Sequence, residues 1–192
     1  MSRLISALFL FAGFCAVAAL AQEKPSDSRI FISNVTVINV DTGEQVPHRT
    51  VIVSGERIAE VKDSRGVRPP TGAKIVDGTG RYLIPGLWDM HVHTLFPERV
   101  DSMFPMFIAN GVLGIRDLGS SMPLSEIGQL RQATKSGSRL GPLIVAAGPI
   151  LDGRPKPLRP NFLAITTPAA GRAEVDTLKN GGADLAAVRV RL

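Results

Sequence analysis

Two rhythms of apolar and polar positions divide the chain. Between residues 29 and 83 short β-branched runs recur: Ile30-Phe31-Ile32, Val35-Thr36-Val37-Ile38, Val51-Ile52-Val53, Ile58-Ala59-Glu60-Val61 and Lys74-Ile75-Val76. Turn chemistry separates them at Asn34, Asp41-Thr42-Gly43, Ser54-Gly55-Glu56, Pro69-Pro70-Thr71-Gly72 and Asp77-Gly78-Thr79-Gly80. Branched side chains suit a pleated surface, and Gly, Asn and Asp tolerate turn backbone, so the pattern predicts a small antiparallel β module over 29–83.

The rhythm changes at Pro85-Gly86, where strand-then-helix units begin. Leu87 to His93 reads as a strand, and Glu98 to Asn110 follows with Val100, Met103, Phe104, Phe107 and Ile108 at helical spacing. Gly111 to Leu118 and Leu140 to Ala147 are the next strands, with a helix over Ser125 to Ser136 between them and a Pro- and Gly-rich loop over Gly148 to Pro160. The last helix has the clearest ends: Thr167 as cap, Pro168 at its first position and Asn180-Gly181-Gly182 as its stop, followed by a fourth strand over Asp184 to Val190. Repeated βα units predict parallel strands joined by right-handed crossovers, an α/β layer or a barrel.

The start of the chain is read as a processing signal. Met1-Ser2-Arg3 is a basic opening, Leu4 to Val17 an apolar core, and Ala19-Leu20-Ala21 an A-x-A site before Gln22, so residues 1–21 predict a signal peptide and an exported, periplasmic or extracellular protein. The small residues before Gln22 favour cleavage over a retained membrane anchor, and residues 22–28 are expected to be a flexible mature N-terminus. The single cysteine, Cys15, falls in that leader, which excludes disulfides and thiol chemistry from the mature chain. A formal net charge of +5 is spread thinly, with no basic run interleaved with aromatics, so no nucleic-acid partner is expected.

Candidate chemistry concentrates in Asp89-Met90-His91-Val92-His93. Strand side chains alternate, so Asp89, His91 and His93 are expected on one face and Met90 and Val92 on the other. Two imidazoles two residues apart at a strand end can converge on one divalent cation, whereas a bare His-x-His pair can also be two solvated side chains. The apolar back of the strand and the polar loop after it favour the metal reading. His48 is expected on the surface of the β module, Trp88 against the helices, and Asp117 in a structural role.

The run Val76-Asp77-Gly78-Thr79-Gly80-Arg81-Tyr82-Leu83-Ile84-Pro85-Gly86-Leu87-Trp88-Asp89-Met90-His91-Val92-His93 resembles the metal-dependent amidohydrolase family, in its imidazolonepropionase-like and prolidase-like branch. Weaker matches follow in the same order at Asn110 to Gly119, Ala147 to Leu151 and Gly181 to Asp184. The resemblance implies the N-terminal half of a TIM-like (β/α)8 barrel preceded by a small β-sandwich module. Residues 29–83 would be part of a composite sandwich, and 84–192 the first four βα units. It implies His91 and His93 as metal ligands, zinc as the expected divalent ion in a mononuclear or incomplete site, and hydrolysis of carbon–nitrogen bonds in cyclic amides or peptide-like small molecules by metal-activated water.

Two departures qualify that picture. The family's bridging lysine on the fourth strand is replaced by Ala187, whose methyl group ligates nothing, and Arg189 on the same face stays protonated. The later histidine ligands and the catalytic aspartate that the resemblance implies would lie beyond Leu192, so the isolated chain is expected to be inactive. A complete barrel needs about 250 residues, which leaves unpaired edges and self-association as an expected partner mode. The competing reading is a non-catalytic exported half-barrel that serves as a binding or degenerate module.

Overall fold

The structure, a computed structural model, describes residues 28–156 and 159–189. The leader expected over 1–21, and the 22–28 segment except Ser28, lie outside the described residues. The chain divides between Ile84 and Pro85 into two units.

The first unit is one five-stranded sheet built from β1 (Ile30–Ile38), β2 (Gln45–Ser54), β3 (Arg57–Asp63), β4 (Lys74–Asp77) and β5 (Tyr82–Leu83). The order is β3-β2-β1-β4, with β5 also on β1. β1-β2 and β2-β3 are antiparallel, but β4 and β5 run parallel to β1, so the sheet is mixed rather than antiparallel as expected. Apolar alternation reports which face of a strand is buried and carries no information on strand direction. The two runs at Ile30 and Val35 fuse into one strand, because Asn34 takes a left-handed turn (φ 56°) inside a register shift instead of ending it. Across the ladder His48 has the same φ of 56°, and its Nδ1 lies 3.0 Å from Asn34 Oδ1, with His48 exposed and Asn34 half-buried. Phe31, Val35, Val51 and Ile52 are the buried apolar residues of this sheet, with the neighbours Val51 and Ile52 on opposite faces. Gly78 passes so close to Val35 that a Cβ there would overlap it, and its N–H donates to Ser33 O at 2.7 Å.

In the second unit β6 (Leu87–Val92), β7 (Val112–Asp117) and β8 (Leu143–Ala146) form a parallel sheet in that order. Helix α1 (Val100–Ala109) connects the first pair and α2 (Leu124–Lys135) the second. Their apolar stripes meet the sheet in one cluster of Val92, Leu95, Val100, Phe104, Ile115, Met122, Ile127, Ile144 and Ala146. Phe104, Leu95, Ile115 and Ile127 are fully buried, and side chains of this size contribute about 1.5–3 kcal/mol each on burial. Helix α3 (Pro168–Asn180) has the expected ends: Ala170 N–H donates to Thr167 Oγ1 at 3.2 Å, Pro168 opens the helix and Gly181 follows it.

Two expectations for this unit need correction. The stretch Gly148 to Pro160 is not wholly loop, since it contains β9 (Ile150–Asp152), which with β10 (Phe162–Ala164) and β11 (Val188–Arg189) forms a second parallel sheet, β10-β9-β11. The fourth strand, expected over 184–190, pairs only at Val188–Arg189 among the described residues. Asp184 is drawn out of the ladder instead: its Oδ2 accepts from Ala146 N–H at 2.9 Å and from the Arg131 guanidinium.

Candidate metal centre

Parallel β6, β7 and β8 bring their C-terminal ends to one edge of the sheet, and His91 and His93 stand at the end of β6. The register there is not continuous. Asp89 pairs with Ile115 and Val92 with Asp117, so β6 carries one extra residue between them. Partners in a ladder share a side, which puts Asp89 and Val92 on the side of buried Ile115 and Asp117 and leaves the histidines on the other. Asp89 therefore leaves the histidine face on which simple alternation put it. Its Oδ1 accepts from His91 N–H at 3.1 Å. Trp88 is likewise reassigned: it pairs with Gly114, whose missing side chain makes room for the indole, on the face away from Ile115 and the helices.

The loop after His93 is held by Asp117, which is fully buried. Asp117 Oδ2 accepts from Thr94 N–H at 2.6 Å and Leu95 N–H at 2.9 Å, and Oδ1 accepts from Gly119 N–H at 3.0 Å. Gly119 in turn presents its carbonyl oxygen 3.2 Å from His93 Nδ1. A ring N–H donated to a backbone carbonyl fixes the tautomer and leaves Nε2 as the free lone pair, the usual support for a metal-ligating histidine. Asp117 thus acts through backbone, positioning the loop that orients His93.

The two imidazoles fit a shared ion. Their centroids are 5.4 Å apart with planes at 74°. Rings bound through nitrogen at about 2.0–2.1 Å around a tetrahedral ion would have centroids roughly 5 Å apart. No group of three or more His, Cys, Asp or Glu side chains able to hold a metal exists among the described residues, so the pair by itself is not a closed metal site.

The histidines open onto a recess of about 560 Å³ whose wall includes Arg116, Phe162, Ala187 and Arg189. Arg116 Nε donates to Met90 O at 2.8 Å, and the Arg189 guanidinium lies 5.5 Å from the Phe162 ring centroid. Ala187 places only a methyl group there. His48 sits in the first unit and takes no part. Sequence reasoning missed Arg116, Phe162 and the buried Asp152, whose Oδ2 has no hydrogen-bond partner among the described residues. Reading Gly148 to Pro160 as loop concealed the strand that carries Ile150 and Asp152; the apolar pair Ile150-Leu151 was the available signal.

No protein-family model matches the sequence. Adenine deaminase 3 of Rhizobium meliloti is 32% identical over 138 residues, covering 62% of this chain and 23% of that enzyme. Among solved structures, a protein described as a prolidase from Bifidobacterium longum superposes with a TM-score of 0.75 at 25% identity, covering 88% of this chain and 42% of its own. The chain belongs to the metal-dependent amidohydrolases. A further amidohydrolase structure, 18% identical with a TM-score of 0.67 over 84% of the chain, shares the fold. The chain spans about a quarter of the length of the curated amidohydrolases it matches and less than half of the solved ones. This family generally uses a divalent metal.

Proposed function

We propose that this chain contributes two ligands, His91 and His93, to the divalent-metal centre of an exported hydrolase acting on carbon–nitrogen bonds. The observation that carries the reading is the orientation of the pair: the two rings lie at a metal-compatible separation, and Gly119 O engages His93 Nδ1 so that Nε2 is left for the ion. Similarity to adenine deaminases and to a prolidase supports a small-molecule substrate with a ring amidine or a peptide-like amide. Within this proposal the second unit is the first part of a TIM-like barrel, the first unit is part of a composite β-sandwich, and residues 1–21 are a cleaved signal peptide.

A bound zinc ion would supply Lewis acidity and lower the pKa of water from 15.7 to about 7. The protein's part is positional. Asp117 ties down Thr94, Leu95 and Gly119, Gly119 orients the His93 ring, and Asp89 holds the backbone at His91. Ile150, Phe162 and Val188 present apolar surface beside the histidines, which would exclude bulk water from one side of a bound substrate. No general base stands among the recess residues, and the isolated chain is proposed to be inactive.

The test is metal content after equilibration with zinc and dialysis, for the wild-type chain and a His91→Ala, His93→Ala double variant. Zinc retained by the wild type and lost by the double variant is the expected outcome; equal content in both would remove the site. A second reading, a non-catalytic binding module, is favoured by Ala187, which puts a methyl group where the family resemblance calls for a bridging ligand.

A further inference from the structure

The metal site leaves one buried acid of the second unit unused. Asp152 ends β9 and is 1% exposed; its Oδ1 accepts from Arg154 N–H at 3.2 Å, while Oδ2 has no hydrogen-bond partner among the described residues. A carboxylate held away from water is costly unless something pairs with it. The ladder shows what stands beside it. Asp152 is flanked by Ala164 in β10, which offers only a methyl group, and by Arg189 in β11. Arg189 is turned elsewhere, with its guanidinium carbon 5.5 Å from the Phe162 ring centroid. Phe162 pairs with Ile150 from β10, on the far side of β9 from Arg189, and Ile150 and Asp152 share one face of β9. The Arg189 side chain therefore crosses β9 on the face that carries Asp152, and comes to rest at the ring instead of the carboxylate.

We propose that Asp152 is a positioning residue for Arg189: when a cation occupies His91 and His93, the guanidinium leaves Phe162 for the Asp152 carboxylate and withdraws from the recess. This rests on the metal reading of the histidine pair. Without a cation the two seats are close to balanced. At Phe162 the exposed guanidinium keeps its water and a weak cation–π contact, whereas at Asp152 it gains a charge-assisted, forked hydrogen bond and gives up hydration. Arg116 and Arg189 line the same recess as both histidines, so a divalent ion on two neutral imidazoles is repelled by both guanidinium groups. Arg116 is tied, with Nε donating to Met90 O at 2.8 Å. Arg189 makes no hydrogen bond through its side chain among the described residues, so it is the one free to retreat. Its move to Asp152 takes positive charge away from the ion and gives the bare Oδ2 a donor. Ion and Asp152 seat therefore strengthen one another by the same factor.

The test measures zinc affinity of the full chain by competition with a chromophoric chelator, for the wild type, Asp152→Asn, Arg189→Gln and the double variant. Asp152→Asn should weaken zinc binding about tenfold, the order of one screened charge repulsion at close range, because Arg189 is left in the recess. In the Arg189→Gln background the same change should have less than about a twofold effect, since the residue it acts through is gone. Equal weakening in both backgrounds would mean that Asp152 acts through its own charge, and would overturn the proposal. A direct readout is the Arg189 Nε–Hε NMR signal, assigned by its loss in Arg189→Gln. After zinc loading it should exchange with water more slowly in the wild type and not in Asp152→Asn. Unchanged exchange in a zinc-loaded wild type would sink the proposal and leave the metal site standing, whereas a wild type that retains no zinc would remove both.

Discussion

Asp117 decides more about the histidine pair than its distance from the rings suggests. Its carboxylate accepts three backbone N–H groups, two from the loop after His93 and one from Gly119. Asp117→Ala would leave these buried donors unsatisfied, at about 1–3 kcal/mol each. A loss of about 3 kcal/mol or more in denaturant unfolding is expected, together with weaker zinc retention, because Gly119 no longer orients His93. Unchanged zinc retention would show that the loop holds itself. In the first unit the titration behaviour of two carboxylates is also readable. Arg65 donates to Asp63 through its side chain and its backbone N–H, and Thr79 donates to Asp77 through its hydroxyl and N–H; both carboxyls are held below the usual carboxylate range. Groups with depressed folded pKa values stabilise above their unfolded pKa, about 3.9 for Asp, and lose that contribution as pH falls through the folded value. Both are solvent-exposed, so the effect is small. An Asp63→Asn, Asp77→Asn variant should therefore show a flatter dependence of Tm on pH below about 4 than the wild type, and an identical slope would refute it.

At the scale of elements, β6 is the one whose sequence pattern misleads. A strict two-residue alternation groups Asp89 with the histidines, but the extra residue between Asp89 and Val92 reverses the sides midway. The same strand depends on Gly114 across the ladder, where a Cβ would overlap the Trp88 indole. Gly114→Ala is expected to destabilise by about 1–3 kcal/mol through overpacking. Combined with Trp88→Ala, the two losses should sum to less than their separate values, since the smaller side chain removes the overlap. Strict additivity in that double-mutant cycle would mean the indole moves aside freely. The helices were legible almost to the residue, because caps and 3.6-residue periodicity act locally: Thr167 and Pro168 start α3 whatever surrounds them. β9 was not, because a three-residue strand among Pro and Gly exists only through partners at Phe162–Ala164 and Val188–Arg189.

For the whole molecule, the parallel sheet of the second unit leaves apolar side chains in solvent. Leu87, Trp88, Met90, Leu113 and Leu143 are each about half exposed, more contiguous strand surface than single scattered residues would give. The chain should self-associate, with a mass in light scattering that rises with concentration in the micromolar range; a constant monomer mass would count against it. Family membership was already carried by local signals, above all the Asp77 to His93 run with its His-x-His end. The sequence by itself determined which residues form helices, where the strand rhythm gives way to βα units, and which two imidazoles are candidates for metal, because each depends on neighbours a few positions apart. Tertiary structure alone decided the mixed direction of the first sheet, the bulge that removes Asp89 from the histidine face, the Asp117–Gly119–His93 relay and the recess that Arg116 and Arg189 line beside the histidines. All four depend on pairings between segments distant in the chain, which alternation along one segment does not encode.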